Sequence, residues 1–271
     1  MVRRVVILIA CVVLAGVAIV AVRVTSERFD EAGDAGAAAV ITDAPPTAVV
    51  TPQRSDEAAV NYGWRLLAQD DFDGRRVDST KWRVYAGLNP VSGETFSESQ
   101  CVVRGGTLTL VGDGDDTAAT CGMAWRGDRT YGRWEVRARF PAPADHDFNP
   151  VLLLWPASDE NWEATGEIDF AEIYDPARQF VESFLHGPGN TPSGHTRKDG
   201  VDLTQWHNFA LEWQADHVTC YLDGVAWATY GTPGTIPSRP MHLAVQQNHN
   251  RSKPSAPLRS TAEIDWVRLY Q

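Results

Sequence analysis

The sequence predicts an all-β domain, a two-sheet β-sandwich of jelly-roll type, behind an N-terminal apolar segment and a linker. Three observations predict it. Short segments alternating with period two recur from Gly106 to Tyr270, Gly/Asp/Pro turns separate them, and no stretch past residue 62 carries a long helical period. About 210 residues of short strands suit a two-layer core.

The N-terminus comes first. Arg3 and Arg4 precede an unbroken apolar run, Val5 to Val22. As a helix it would span roughly 27 Å, close to a hydrocarbon core of about 30 Å. That length favours an uncleaved signal anchor over residues 1–22; the competing reading is a signal peptide cleaved after Gly16-Val17-Ala18. Either reading keeps the basic end inside and places the rest on the extracellular face, membrane-anchored or secreted. Residues 23–61 are rich in Ala, Asp, Thr, Pro and Val without periodicity, which reads as a disordered tether. The folded domain is expected over residues 62–271.

Within it, Gly106–Val111 alternates. Along Tyr131–Phe140, Trp134, Val136, Ala138 and Phe140 share one face, and Arg133, Glu135, Arg137 and Arg139 the other. Val151–Trp155 is apolar throughout, as in a central strand buried on both sides. Phe209–Trp213 alternates, and His217–Leu222, Asp223-Gly224 and Val225–Tyr230 form a hairpin signal. Met241–Gln246 and Ala262–Tyr270 supply the late strands.

Composition narrows the function. The net charge of −11 leaves no basic stripe for phosphates, which argues against nucleic acid and makes a neutral substrate the easier fit. Ten Trp serve cores and flat stacking surfaces. Cys101 and Cys121 flank a Gly/Asp-rich turn region, where a disulfide is expected outside the cell, and Cys220 alternates with Val218 and Leu222 as a buried free thiol. No Cys/His spacing resembles a zinc site.

The chemistry concentrates in Gly166-Glu167-Ile168-Asp169-Phe170-Ala171-Glu172-Ile173. Ile and Phe make this a strand. In a regular pleat Glu167 and Asp169 share a face, and Glu172, an odd number of residues on, points the opposite way. A β-bulge near Phe170-Ala171 returns it to the Glu167 face. Acids are poor strand residues, so such a cluster costs stability unless it acts. The bland reading is a solvated acidic edge. The functional one is glycoside cleavage, which needs one carboxyl to protonate the leaving oxygen and another on the opposite face of the sugar. Long Glu side chains leaning together favour retention over inversion. Crowding raises at least one carboxyl, which can then serve as general acid.

This motif resembles the bulged active-site strand of glycoside hydrolase family 16. Tyr131–Arg137, Trp162 with Gly166-Glu167, Ser183-Phe184-Leu185-His186-Gly187, Trp206–Trp213, the Asp223-Gly224 hairpin and Ile264–Tyr270 resemble other segments of that family in the same order. The resemblance covers about Tyr62 to Gln271 and implies a concanavalin-like sandwich, with Glu167 as nucleophile, Glu172 as acid/base and Asp169 as helper. The bulged form resembles laminarinase-like and galactan-cleaving members. Two departures bear on the glycan: Trp162-Glu163 replaces a Trp-Pro, and His242-Leu243-Ala244-Val245-Gln246-Gln247-Asn248 replaces an Asn-Leu-Ala-Val-Gly-Gly stretch.

The remaining candidates follow. Trp162 and Trp125 are expected to stack on sugar rings, while Trp155, Trp134, Trp213 and Trp266 read as core. His186 is expected in the cleft, His207 in a structural place, and Asn149 and Gln246 against sugar hydroxyls. No cofactor is required; the resemblance implies a structural calcium at Asp265 with the backbone near Gly106. The expected protein is a monomeric retaining endo-glycosidase of β-linked polysaccharide, an endo-β-1,3-glucanase. The alternatives are a galactan hydrolase or transglycosylase of the same family, or a non-catalytic carbohydrate-binding module.

Overall fold

The computed structural model describes residues 54–89, 93–114, 118–142, 144–158, 162–189, 191, 194–249 and 258–271. The expected N-terminal apolar helix and most of the tether lie outside the described residues. Among the described residues, no helix is long and apolar enough to cross a membrane.

In chain order the strands are β1 (Leu66–Asp70), β2 (Trp82–Val84), β3 (Gly87–Leu88), β4 (Thr95–Phe96), β5 (Cys101–Val103), β6 (Leu108–Gly112), β7 (Gly122–Trp125), β8 (Gly132–Arg139), β9 (Phe148–Pro156), β10 (Glu167–Glu172), β11 (Phe180–His186), β12 (Gly194–Asp199), β13 (His207–Trp213), β14 (Val218–Leu222), β15 (Val225–Tyr230), β16 (Met241–His249) and β17 (Ser260–Tyr270). Among the described residues two short α-helices, α1 (Ala58–Tyr62) and α2 (Trp162–Thr165), and a 3-10 turn at Glu98–Gln100 accompany them.

Two antiparallel sheets result. The front sheet runs β12-β11-β10-β9-β16-β7-β2; the back sheet runs β15-β14-β13-β8-β17-β6-β5, with β1 added to β17. Period-two alternation explains the layering. On β8, Trp134, Val136 and Ala138 enter the shared core, where they meet Phe209, Leu211 and Trp213 of β13. From the front sheet, Ile168, Phe170, Leu152 and Leu154 meet them. Asp223 and Gly224 both have positive φ, 48° and 68°, as the tight hairpin between β14 and β15 requires. Cys101 and Cys121 are bonded, tying the back-sheet strand β5 to the residue just before the front-sheet strand β7. Cys220 is a buried free thiol against Ser183, and burial pushes it up to about 12.

The folded unit begins earlier than composition suggested. Residues 54–61 belong to it. Arg54 donates to the Gly224 carbonyl, and α1 lies on the outer face of the back sheet, packing Ala58 against Ala210 and Tyr221. Composition missed this because five helical residues show no periodicity; the anchor is Glu135, whose carboxylate accepts the Ala58 and Ala59 N–H groups at 2.7 and 3.2 Å. Trp266 is buried, but not in the sandwich core. The β17 ladder shifts register between Ile264 and Trp266, and Trp266 sits under the Arg268 guanidinium instead.

Candidate active site

The site lies on the outer face of the front sheet and is centred on β10. Ile168, Phe170, Ala171 and Ile173 all point into the core. Two consecutive inward residues, Phe170 and Ala171, replace one, and the β9–β10 register shifts between Asp169 and Ala171. That is the bulge the motif required. It places Glu167, Asp169 and Glu172 together on the outer face. The register is robust, because a one-residue slip would expose Ile168 and Phe170, costing roughly 3 kcal/mol or more.

Glycine sets the entrance. Gly166 has φ +83°, and a Cβ there would lie 2.3 Å from the His186 carbonyl oxygen. Only glycine brings the chain out of α2 that close to β11, where Glu167 pairs with His186. The helical turn before it aims Trp162, whose Nε1–H donates to Glu167 Oε2 at 2.6 Å.

Register then fixes the neighbours. Across β11, His186 faces Glu167, Phe184 faces Asp169 and Glu182 faces Glu172. His186 Nε2 lies 3.3 Å from Asp169 Oδ2. Among the described residues Asp169 Oδ1 is buried without a hydrogen-bond partner, while Oδ2 faces His186. On the other flank, Val151, Leu153 and Ala244 make an apolar floor with Trp155, apart from the sandwich core. Asn149 lies opposite Asn248, whose Oδ1 accepts from Gln246 Nε2 at 2.7 Å.

Electrostatics follow from burial and crowding. Burial, then the charge of Asp169, pushes Glu167 well above the usual carboxylate range. Burial, then Glu172, does the same to Asp169. Burial raises Glu172, against a hydrogen bond from Tyr174 that draws it down. Three acids this close hold protons among them near neutrality, so the group carries both a proton donor and a carboxylate.

The structure therefore gathers Glu167, Asp169, Glu172, Trp162 and His186, with Asn149 and Gln246 further along the same face. Trp125 is not among them. Ala124 pairs with Ala244 on the outer face, so alternation turns Trp125 inward, where it is edge-on to Trp82 at 5.0 Å. Trp155 departs in the opposite sense: it is half-buried on the outer face and stacks on Trp162 at 6.1 Å. An apolar run buried on both sides hides which face its last ring takes.

Tyr174, Glu182, Phe184 and His242 were missed. Glu182 and Phe184 alternate with His186 along β11, so period two from His186 could have found them. His242, 3.0 Å from Asp128, lies opposite Trp155 in the same way. Tyr174 follows the strand end and had no such signal.

The calcium expectation rests on Asp265 together with backbone oxygens near Gly106. The Asp265 carboxylate lies 3.5 Å from Arg137 Nε, and among the described residues it joins no cluster of three ligand side chains. Calcium takes about six to eight oxygens. Ligand atoms of Asp145, His146 and Asp147 do converge elsewhere, but Asp145 already accepts the Asp147 and Leu258 N–H groups.

Comparison with known proteins decides the family. The model of glycosyl hydrolases family 16 matches residues 94–268. The chain belongs to that family. A curated relative, glucan endo-1,3-beta-glucosidase A1 of Niallia circulans, is 24% identical over 85% of this chain, which spans 41% of that relative's length. The catalytic domain of an endo-1,3-beta-glucanase (laminarinase) from Thermotoga petrophila superposes with a TM-score of 0.65 at 23% identity, covering 77% of this chain and 98% of that one. The endo-beta-1,3-glucanase of Pyrococcus furiosus does so with a TM-score of 0.64 at 19% identity, covering 77% and 94%. At these identities the likeness is one of fold.

Proposed function

We infer that this family 16 enzyme is a retaining endo-β-1,3-glucanase. One observation carries the reading: the bulge of β10 puts Glu167 and Glu172 on one open face, with Asp169 between them. The named activities of the relatives support β-1,3-glucan as substrate. Trp155 and Trp162, stacked with planes 14° apart, offer flat apolar surface to pyranose rings.

In this mechanism Glu167 attacks the anomeric carbon as a carboxylate. The Trp162 N–H donates to Glu167 and so stabilises the charge of the nucleophile before attack. Glu172 gives its proton to the departing glycosidic oxygen as the C–O bond breaks. A glycosyl ester forms on Glu167. Water then enters, Glu172 takes its proton, and hydrolysis of the ester returns both residues to their starting states. The apolar run Val5–Val22 supports export or anchoring, which would bring the domain to an external glucan.

The test is a glycan panel of laminarin, mixed-linkage glucan, agarose and carrageenan, with proton NMR of the first product. Laminarin oligosaccharides released with the β-anomer formed first are the expected result. An α-anomer formed first would refute retention, products from a galactan alone would move the enzyme to that substrate, and binding without products would leave a carbohydrate-binding module. Transfer to an added acceptor sugar in place of hydrolysis would identify a transglycosylase.

A further inference from the structure

A hollow of about 350 Å³ opens on the outer face of the back sheet, the face opposite the acids. It forms where residues 57–66 cross that sheet. Val60 and Leu66 line it and stay 63% and 47% exposed. Trp64 and Tyr270 line it too, their rings 5.8 Å apart and tilted by 60°. Glu57 and Arg268 complete the lining, paired at 2.7 Å. Trp64 is firmly seated. It packs on Ala58, Ala210 and Tyr221, with the Arg133 guanidinium 5.6 Å from its ring. Covering Glu135 requires the N–H groups of α1. It does not require exposed aliphatic side chains beside a half-buried Trp.

We propose that this hollow is a second glucan-binding site, taking a short stretch of the same neutral β-linked polymer that the acids cut. The proposal rests on the reading of β-1,3-glucan as that polymer. The lining suits a sugar. Rings and aliphatic side chains match the apolar face of a pyranose, and a few polar groups stand beside them. Glu57 accepts and Arg268 donates side by side, which fits two neighbouring hydroxyls. The two also neutralise each other, so the hollow favours neither an anion nor a cation. Its volume is at the small end of ligand sites. The surroundings disfavour a lipid surface. The same face carries the ion pairs Arg133 with Glu212, Arg137 with Asp265 and Arg139 with Glu263. Hydrocarbon laid over them would strip their water for little apolar contact in return. A sugar chain leaves them hydrated.

The placement says what such a site would do. The carboxylate lining the hollow is paired with Arg268, so the hollow binds and does not cut. It and the cleft lie on opposite outer faces of a sandwich whose sheets pack about 10 Å apart. A short oligosaccharide cannot reach both. The hollow therefore takes another chain of the polymer, or a distant stretch of the same one. Holding it there raises the concentration of chain near the cleft and slows the enzyme's escape. The gain is large on insoluble glucan, where many chains lie together, and vanishes on short soluble ones.

The test uses the full chain carrying Glu167→Gln, which binds without cutting, with nitrogen-15 in its tryptophans. The probe is laminarihexaose. The Trp64 indole signal, identified by its loss in Trp64→Phe, reports the hollow. The Trp162 signal, identified through Trp162→Phe, reports the cleft. Both should shift and saturate as the sugar is added. Val60→Arg lays a long charged side chain over the hollow from an exposed helix position. It should abolish the Trp64 shift and keep that of Trp162, and Leu66→Arg should do the same from β1. A Trp162 shift alone overturns the proposal and leaves the reading of function standing. A Trp64 shift alone keeps the hollow as a glucan site and sinks the reading of the cleft. Silence at both overturns the two together. A Trp64 shift that survives both arginine variants is relayed from the cleft and overturns the proposal. So does sedimentation with phosphatidylcholine vesicles that Val60→Arg abolishes while laminarihexaose leaves Trp64 unmoved. In the active enzyme, Val60→Arg should lower the ratio of rates on insoluble to soluble β-1,3-glucan by about 5-fold, the avidity lost with one of two sites. An unchanged ratio overturns the proposal.

Discussion

Two faces of the sandwich each bury glutamate, and they treat it differently. On the back sheet, Glu135 is fully buried under α1, and burial pushes it up to about 7. On the front sheet, burial likewise raises Glu167 and Glu172. A raised carboxyl alone therefore does not mark an active site. What differs is the company. Glu135 meets donors: the N–H groups of Ala58 and Ala59, with the Tyr270 hydroxyl at 3.5 Å. The front acids meet one another, with the Trp162 N–H of α2 on Glu167. One arrangement closes a fold and the other keeps a proton in play. Convergence of like charges on an open face is the functional signal.

The largest effect should come from swapping which face is damaged. Glu167→Gln should lower kcat on the responsive glycan by at least about 10⁴-fold, because the nucleophile is gone. Its melting temperature should hold or rise, since a repelled buried acid has been removed. Glu135→Ala should do the reverse. Two buried N–H groups lose their acceptor, costing about 2 kcal/mol or more, while kcat/KM stays within about 2-fold. Thermal melts and initial rates on both variants check this. A Glu135 variant that lost activity while keeping its stability would erase the contrast.

A smaller effect sharpens the same comparison through the donors. Trp162→Phe removes the 2.6 Å bond to Glu167 and keeps an aromatic ring. It should cost about 10-fold or more in kcat, as expected for a hydrogen bond to a charged group. Tyr270→Phe removes the weak 3.5 Å contact to Glu135 and should leave rates unchanged, with stability lower by less than about 1 kcal/mol. Rates from both variants, read beside their melts, would show whether a donor on the front face acts on chemistry and one on the back face only on folding.

This contrast also explains what could be read from the sequence. The outer placement of Glu167, Asp169 and Glu172 was legible because Ile168, Phe170 and Ile173 must go inward, which leaves the bulge as the way to reunite the acids. Trp134 and Val136 were legible for the same reason. Glu135 read as a solvent-facing residue of β8, since alternation says which face a side chain takes and not what lies over it; α1 arrives from residues whose composition suggested a tether. Trp125 and Trp155 failed at the ends of apolar runs, where a ring is equally suited to either face. Tyr174 could not be placed at all. Its place depends on which strands pair with β10 and β11, and period two within one segment carries no information about its partners.

In stability against pH the two faces should look alike. A carboxyl whose folded value is raised favours the protonated fold. Its contribution is complete below the unfolded value of about 4.3 and is lost as pH rises through the folded value. For Glu135 that window runs up to about 7; for the front acids it opens at the same point and extends upward, because all three are raised. The wild type should therefore lose stability between pH 5 and pH 7. Each such group contributes at most about 1.4 kcal/mol per pH unit. Glu167→Gln removes one raised carboxyl and relieves its neighbours, so its decline should be shallower. Glu135→Ala should be shallower as well, from a lower starting stability, because its lost hydrogen bonds lower the curve at every pH while its lost titration changes only the slope. Denaturant melts across that range separate offset from slope. A Glu135→Ala curve parallel to wild type would mean that Glu135 stays ionised under α1, and the resemblance between the two buried sites would end at their burial.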